Sequence, residues 1–286
     1  MILEENYRLS NGVEIPKLGL GTWFIKNEDA AQAVKDAAAI GYRHIDTAQA
    51  YQNEGGVGEG VRTCGVNREG MFVTTKLAAE VKSYEKAVSS IDTSLKRLGL
   101  DYIDMMIIHS PKPWAEFHGH NSYFEGNREA WKALEEAYQA GKLRAIGVSN
   151  FEKADLDNIL DSCSVSPMVN QILVHISNTP KELIRYAQDK GILVEAYSPI
   201  GHGELLKNRE LETIARKYHV SVAQLGIRYT LQLGLLPLPK TADPRHMKSN
   251  AEVDFIISDH DMEYLENIQQ IKNYGEASKF PVYGSR

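Results

Sequence analysis

The stretch WKALEEAYQAGKLRAIGVSN (131–150) holds a helix, a stop and a strand. Trp131, Leu134 and Tyr138 share one helical face, and Gly141 follows where a left-handed residue closes a helix without the cost of a Cβ. LRAIGVS then reads as a buried strand, and it finishes in the polar pair Ser149-Asn150. Working outward, the same order of helix, glycine and short β-branched run recurs at Gly41, Gly65, Gly99, Gly191 and Gly234. Ala87, Ile91, Leu95 and Leu98 line the helix that ends at Gly99. Thr179-Pro180 with Glu182, and Ser221 with Gln224, are predicted capping boxes.

Eight strands are predicted: KLGL (17–20), YRHID (42–46), MFVTTK (71–76), YIDMMIIH (102–109), LRAIGVS (143–149), MVNQI (168–172), ILVEAY (192–197) and LLPL (235–238). Strands alternating with helices over short connections call for a parallel sheet covered by helices, and eight such units close most economically as a (β/α)8 TIM barrel. Before the first unit, Asn11-Gly12 between extended flanks predicts a β-hairpin that caps the barrel bottom. The 286 residues contain no Ser/Gly/Pro-rich linker, so residues 1–286 are expected to form a single barrel domain.

Composition excludes several classes. With 43% hydrophobic and 24% charged residues the chain is an ordinary globular sequence. A net charge of −6 offers phosphate backbones no general attraction, so nucleic acid is not an expected partner. No apolar run approaches the ~18 residues of a membrane span, and MILEENYRLS is not a signal peptide, which places the protein in the cytoplasm. Cys64 and Cys163 read as small buried hydrophobes. A closed barrel exposes no sheet edge, so a monomer is expected.

In a barrel of this kind chemistry sits at the C-terminal ends of the strands. Those ends carry Asp46, Lys76, His109, Ser149 with Asn150, Gln171, Tyr197 and, just after the eighth strand, Lys240. Singly, each has a bland explanation: Asp46 a cap, Lys76 a solvated end, His109 a satisfied core histidine. Their convergence on one rim does not. Tyr51, in the loop after Asp46, reaches the same rim. A tyrosine with a pKa near 10 is a poor proton donor at neutrality. Lys76 would lower that pKa, Asp46 would hold the lysine charged, and His109 would bond the same substrate oxygen. Such a set suits protonation of a carbonyl oxygen during hydride transfer.

DTAQAYQNE (46–54), TTK (74–76), IIHSP (107–111), GVSNF (147–151), NQ (170–171), YSPIG (197–201) and LPKT (238–241) together resemble the aldo-keto reductases. The resemblance runs from GLGTW (19–23) to the last helix, and it looks closest to the bacterial branch that includes diketogluconate reductases. It implies reduction of aldehyde or ketone carbonyls with NADP(H), and also NAD(H), in a barrel. Tyr51 would be the general acid, supported by Lys76, Asp46 and His109. Gly21 and Thr22 of GLGTW would line the cofactor site. Ser149, Asn150 and Gln171 would hold the nicotinamide carboxamide and Tyr197 would stack on its ring. Ser198 and Ile200 would meet the pyrophosphate, with Lys240, Thr241 and Asn250 toward the adenosine. Asp243-Pro244 opens a short helix there, a favoured phosphate position. Where the family usually places an arginine for the 2′-phosphate this chain has His246, one residue after Arg245, which implies a weaker grip and less preference for NADPH over NADH.

Trp23 and Trp114 are the expected substrate contacts, with Phe117, Tyr123, Phe280 and Tyr283 as further aromatics, and the loop 111–127 is long enough to be functional. GGVGEG (55–60) fails the GxGxxG pattern and follows no strand. His44 and Asp46 lack further ligands of the right type for a metal, and His118 and His120 read as solvated. Two other functions compete: a non-catalytic nucleotide-sensing barrel that regulates a partner protein, which a degraded tetrad would favour, and a metal-dependent barrel hydrolase.

Overall fold

Asn11-Gly12 turns the chain between β1 (Asn6–Arg8) and β2 (Glu14–Pro16), an antiparallel pair with Tyr7 opposite Ile15. Gly12 supplies the left-handed conformation that the turn requires, at φ 86°. The hairpin sits under the barrel. Tyr7 Oη donates to the carbonyl of Leu235 at 3.2 Å and Asn11 Nδ2 to that of Arg144 at 2.9 Å, both at the starting ends of barrel strands.

The computed structural model describes residues 1–284. After the hairpin the order is β3 (Gly19–Gly21), α1 (Asn27–Ile40), β4 (His44–Asp46), α2 (Glu54–Thr63), β5 (Phe72–Leu77), α3 (Tyr84–Leu98), β6 (Ile103–Ile108), α4 (Phe124–Gln139) and β7 (Leu143–Ser149). It continues with α5 (Lys153–Leu160), β8 (Val169–Leu173), α6 (Lys181–Asp189), β9 (Leu193–Tyr197), α7 (Arg209–Lys217), α8 (Val222–Gln232), β10 (Leu236–Leu238), α9 (Pro244–Ala251) and α10 (Asp259–Glu266). β3 through β10 pair in parallel in sequence order, and a bridge between Gly21 and Lys240 brings the last strand back to the first. This is the (β/α)8 barrel expected from the repeating units.

A fully buried shell that includes Ile45, Val73, Met106, Ile146, Val169, Val194 and Leu236 joins strands to helices. Each such side chain contributes about 1.5–3 kcal/mol by leaving water. A second cluster of Leu211, Leu225, Tyr229 and Leu265 seats α7, α8 and α10.

Details differ from expectation where local pattern competes with tertiary contact. β3 begins at Gly19 rather than residue 17. The Thr179 box does not form: Thr179 Oγ1 donates to the His175 carbonyl and shares a hydrogen bond with Tyr229, so α6 starts without a side-chain cap. The box at Ser221 and Gln224 does form. α4 begins at Phe124, which shortens the loop read as 111–127.

GGVGEG is the interior of α2. Its glycines permit close helix contact, since a Cβ on Gly56 would run into the Asn27 carbonyl and one on Gly58 into that of Leu98. Gly58→Ala is therefore expected to destabilise the fold by about 1–3 kcal/mol or more, read as a lowered melting temperature. A variant melting with the parent would show that α2 and α3 have room to part.

Candidate active site

Tyr51 ends a short 3-10 turn, Gln49–Tyr51, that the surroundings leave little freedom. The Gln49 side chain donates to Ser94 Oγ at 2.9 Å and accepts from Ala78 N at 2.9 Å. On the other side Asn53 donates to the carbonyls of Thr22 and Ile25 and accepts from Thr47 Oγ1. Gln52 between them takes the left-handed conformation, φ 58°, which is costly for a residue with a Cβ and is tolerated where the environment over-determines it.

Lys76, at the end of β5, is wholly buried. Its ammonium pairs with both oxygens of the Asp46 carboxylate, donates to the Thr47 carbonyl at 2.9 Å, and reaches Tyr51 Oη at 3.2 Å. His109, after β6, stands edge-on between Tyr51 and Trp114, with ring centroids 5.6 Å and 5.0 Å away. The four expected residues are thus one contiguous cluster.

The electrostatics correct one expectation. Burial, reinforced by the Asp46 carboxylate, pushes the Tyr51 phenol well above the ordinary tyrosine range rather than below it. Asp46 pairs directly with the ammonium and so cancels much of its field at the phenol. Burial likewise lowers the Lys76 ammonium, against the pull of Asp46. Burial and then Lys76 hold His109 well below its usual value, so the imidazole is neutral. The resting site is therefore a protonated phenol beside a neutral imidazole. The 3.2 Å contact from Lys76 can receive charge on the phenol oxygen once its proton has left.

Asp46, Tyr51 and His109 line a cavity of about 560 Å³, within the range of small-molecule sites, and Lys76 is not part of its wall. Its wall includes Gly21, Thr22, Trp23, Asp46, Tyr51, His109, Trp114, Ser149, Asn150, Gln171, Tyr197, Ser198, Ile200 and Lys240 from the expected set. Gly21 and Thr22 also have structural work: Gly21 N donates to the Pro239 carbonyl and Thr22 Oγ1 to that of Asp46. Asn150 Oδ1 accepts from Tyr197 Oη at 2.7 Å, and Ser149 Oγ donates to the Gln171 carbonyl.

Thr241, His246 and Asn250 lie outside the cavity wall. Thr241 Oγ1 accepts from Asp243 N, His246 is exposed on α9, and Asn250 is buried there. The start of α9 is already capped by Asp243, which accepts from Arg245 N and pairs with the Arg245 guanidinium at 2.7 Å. The phosphate position expected there therefore competes with an acidic cap.

Phe280 and Tyr283 of the tail complete the wall, whereas Phe117 packs on Trp114 behind it and Tyr123 does not reach it. His118 is exposed, as expected, and also donates to the Pro281 carbonyl at 2.9 Å, which ties the loop to the tail. Phe24, His202 and Gly203 also line the cavity and went unread in the sequence. His202 stands at φ 55° between two glycines, with its ring 5.2 Å from Trp23 and 4.7 Å from Tyr283. The His202-Gly203 pair directly after YSPIG (197–201) was the available signal.

The residues fit a dinucleotide. Cavity wall runs from the Tyr51 floor past Gln171, Tyr197 and Ser198 to Lys240, and the buried His202 Nε2 has no hydrogen-bond partner among the described residues. His44, by contrast, contacts Thr74 Oγ1 at 2.9 Å in the core, and among the described residues no group of three or more His, Cys, Asp and Glu could hold a metal.

Known proteins match this site and fold. The model of the Aldo/keto reductase family matches residues 17–270. Glyoxal reductase of Bacillus subtilis (strain 168) is 41% identical over 275 residues, 96% of each chain, and morphine 6-dehydrogenase of Pseudomonas putida is 39% identical over 275 residues, 91% of this chain and 90% of that one. The crystal structure of a Bombyx mori aldo-keto reductase in complex with NADP superposes with a TM-score of 0.85 at 33% identity, covering 98% of this chain and 99% of the other. The chain belongs to the aldo/keto reductase family, and it is an NAD(P)H-dependent oxidoreductase acting on carbonyl groups. The relatives' names span several substrates, so the likeness to diketogluconate reductases in particular gains nothing from them.

Lys76→Met removes the ammonium that reaches the Tyr51 phenol oxygen and leaves the buried Asp46 carboxylate without its counter-ion. Turnover is expected to fall at every pH, and stability by about 3–5 kcal/mol in thermal melts. An unchanged kcat would show that Lys76 does not serve the phenol. Because His109 is neutral and Tyr51 stays protonated, kcat for reduction is expected to show no imidazole titration between pH 6 and 7. A step there would contradict the assigned protonation states.

Proposed function

We propose that Tyr51 is the proton donor in this chain's carbonyl reduction, and the observation that carries the reading is the Lys76 contact to its phenol oxygen from within a buried ion pair with Asp46. The nicotinamide supplies the hydride to the carbonyl carbon when bound. Tyr51 gives its proton to the carbonyl oxygen as negative charge grows there, Lys76 stabilises the phenolate left behind, and neutral His109 bonds the same oxygen. Asp46 keeps Lys76 charged and placed. Ser149, Asn150 and Gln171 would hold the carboxamide, Tyr197 would stack on the ring, and Ser198 and Ile200 would meet the pyrophosphate. Gly21 and Thr22 shape the wall beside them. Lys240, Thr241, His246 and Asn250 serve the adenosine end. Trp23 and Trp114 face the substrate.

The whole chain acts as one barrel domain, as a monomer, in the cytoplasm. What supports this is a sheet closed on itself and the absence, among the described residues, of any helix long and apolar enough to cross a membrane. Light scattering at twice 32.0 kDa would overturn the monomer.

Tyr51→Phe deletes the donor and keeps the ring, so kcat for a carbonyl panel followed by NADPH absorbance should fall by about 10² to 10⁴-fold while NADPH affinity stays within a few-fold. Retention of half the turnover would remove Tyr51 from the role. At the other end of the cofactor, His246 is exposed and Arg245 is held by Asp243, so neither gives a free bidentate fork. NADPH is expected to work with modest preference over NADH. His246→Arg should raise the NADPH to NADH ratio of kcat/KM, through KM. A strong preference in the parent, unchanged by His246→Arg, would refute the assignment.

A further inference from the structure

One buried carboxyl of the barrel has no part in the scheme above. Glu195, in β9, is fully buried and stands in register with Gln171 of β8 on one side and Leu236 of β10 on the other. Its Oε2 accepts from Gln171 Nε2 at 2.7 Å, and the same amide nitrogen donates to Asp46 Oδ1 at 2.8 Å. Glu195 Oε1 has no hydrogen-bond partner among the described residues.

A primary amide has two N–H donors and one carbonyl acceptor. Both donors of Gln171 are taken, one by each carboxyl, so the amide is clamped in a fork. Gln171 lines the cavity, and its Oε1 accepts from no described group. The one unspent function that Gln171 can offer a ligand is therefore an acceptor. With Asp46 alone the amide would still be tethered, but its second N–H would be free to turn into the cavity and offer a donor instead.

We infer that Glu195 is a positioning residue that fixes the polarity of Gln171, making this side chain an acceptor for the amide N–H₂ of the nicotinamide and selecting carboxamide-bearing dinucleotides over those without that donor. The inference rests on the placement of Gln171 at the nicotinamide end. The titratable groups that face Glu195 are Asp46 from β4 and Lys76 from β5, while β8 and β10 present Gln171 and Leu236. Burial, and then the Asp46 charge, push the Glu195 carboxyl up to about 8. At neutral pH it is accordingly a neutral acid that accepts through one oxygen, which leaves Asp46 as the single negative partner of Lys76.

The experiment compares NADPH with reduced 3-acetylpyridine adenine dinucleotide phosphate, in which a methyl group replaces the amide nitrogen. Dissociation constants are read by quenching of tryptophan fluorescence, since Trp23 and Trp114 line the cavity. The parent should bind the acetyl analogue about 3- to 10-fold more weakly, the loss of one neutral hydrogen bond. Glu195→Gln keeps an acceptor and should keep that ratio. Glu195→Met, similar in length but without an acceptor, should move the ratio toward one.

Thermal melts add a reading independent of cofactor. A carboxyl whose folded pKa is about 8, against an ordinary 4.5, holds a proton that the unfolded chain has released, so its presence costs increasing stability as pH rises through that window. Glu195→Gln should therefore gain melting temperature on the parent from pH 5 to pH 8. Equal affinity of the parent for the two dinucleotides would overturn the inference, as would a folded Glu195→Met with parental discrimination or a Glu195→Gln without it. Should Glu195→Met fail to fold, the parent and Glu195→Gln decide the matter. A parent that binds no NADPH would overturn the cofactor assignment beneath it instead.

Discussion

A lysine ammonium with no exposure to solvent lies at the end of β5, and the site is arranged around keeping it there. Burying such a charge is costly unless it is paired and its remaining hydrogens are satisfied. Lys76 spends them on Asp46, on the Thr47 carbonyl and on Tyr51. The first two satisfy the fold, and the third links the fold to the chemistry. Because the pair is embedded in strands that are hydrogen-bonded on both sides and Lys76 is fully buried, the ammonium cannot relax into solvent, and the phenol meets a fixed donor. The cost of burying an ion pair is thereby converted into a preorganised environment for charge that appears only during reaction.

The same pair explains why proximity to a lysine does not make Tyr51 acidic. A lone ammonium 3.2 Å away would favour phenolate, but here the ammonium arrives with its counter-ion, and burial decides the direction. For the donor role proposed for Tyr51 that is the useful outcome, since the proton would be present before the substrate arrives. In that role the acidifying influence would be held back until a phenolate formed, when the Lys76 hydrogen bond would join two opposite charges. Asp46 extends the arrangement sideways through Gln171 to Glu195, so the lysine that contacts Tyr51 and the amide beside it answer to one carboxylate.

What could be read from the sequence follows from where each residue sits. Asp46, His109, Gln171 and Tyr197 were legible because each interrupts or ends an apolar strand, and the barrel dictates that such ends face one rim. Gly99 and Gly141 were legible because a left-handed helix terminus has a residue preference of its own; both stand at positive φ. Phe24 and His202 were not, because their places depend on left-handed loop residues that no periodicity announces. Thr179 was misread as a cap because only the folded chain brings Tyr229 alongside to compete for its hydroxyl. Glu195 stood inside an apolar strand in plain view, but its meaning depends on Gln171 and Asp46 from two other strands.

The floor and the roof of the cavity are built by different means. The floor consists of strand ends, fixed by ladders and by the buried pair. The roof comes from connecting segments and the tail, joined by individual hydrogen bonds between segments far apart in sequence: His118 on the Pro281 carbonyl, Tyr283 sharing a 2.6 Å hydrogen bond with Ser198, and Tyr274 bonded to His175 at 2.9 Å. Loops tolerate change that strands do not. Substrate identity must therefore be written mainly in the roof, and reaction type in the floor. The Ser198 contact joins the two, because the residue we propose to lie along the cofactor is also the one the tail grips. A change in the tail that alters substrate fit would then reach cofactor binding through that hydroxyl, while Tyr51 and its ion pair stayed in place.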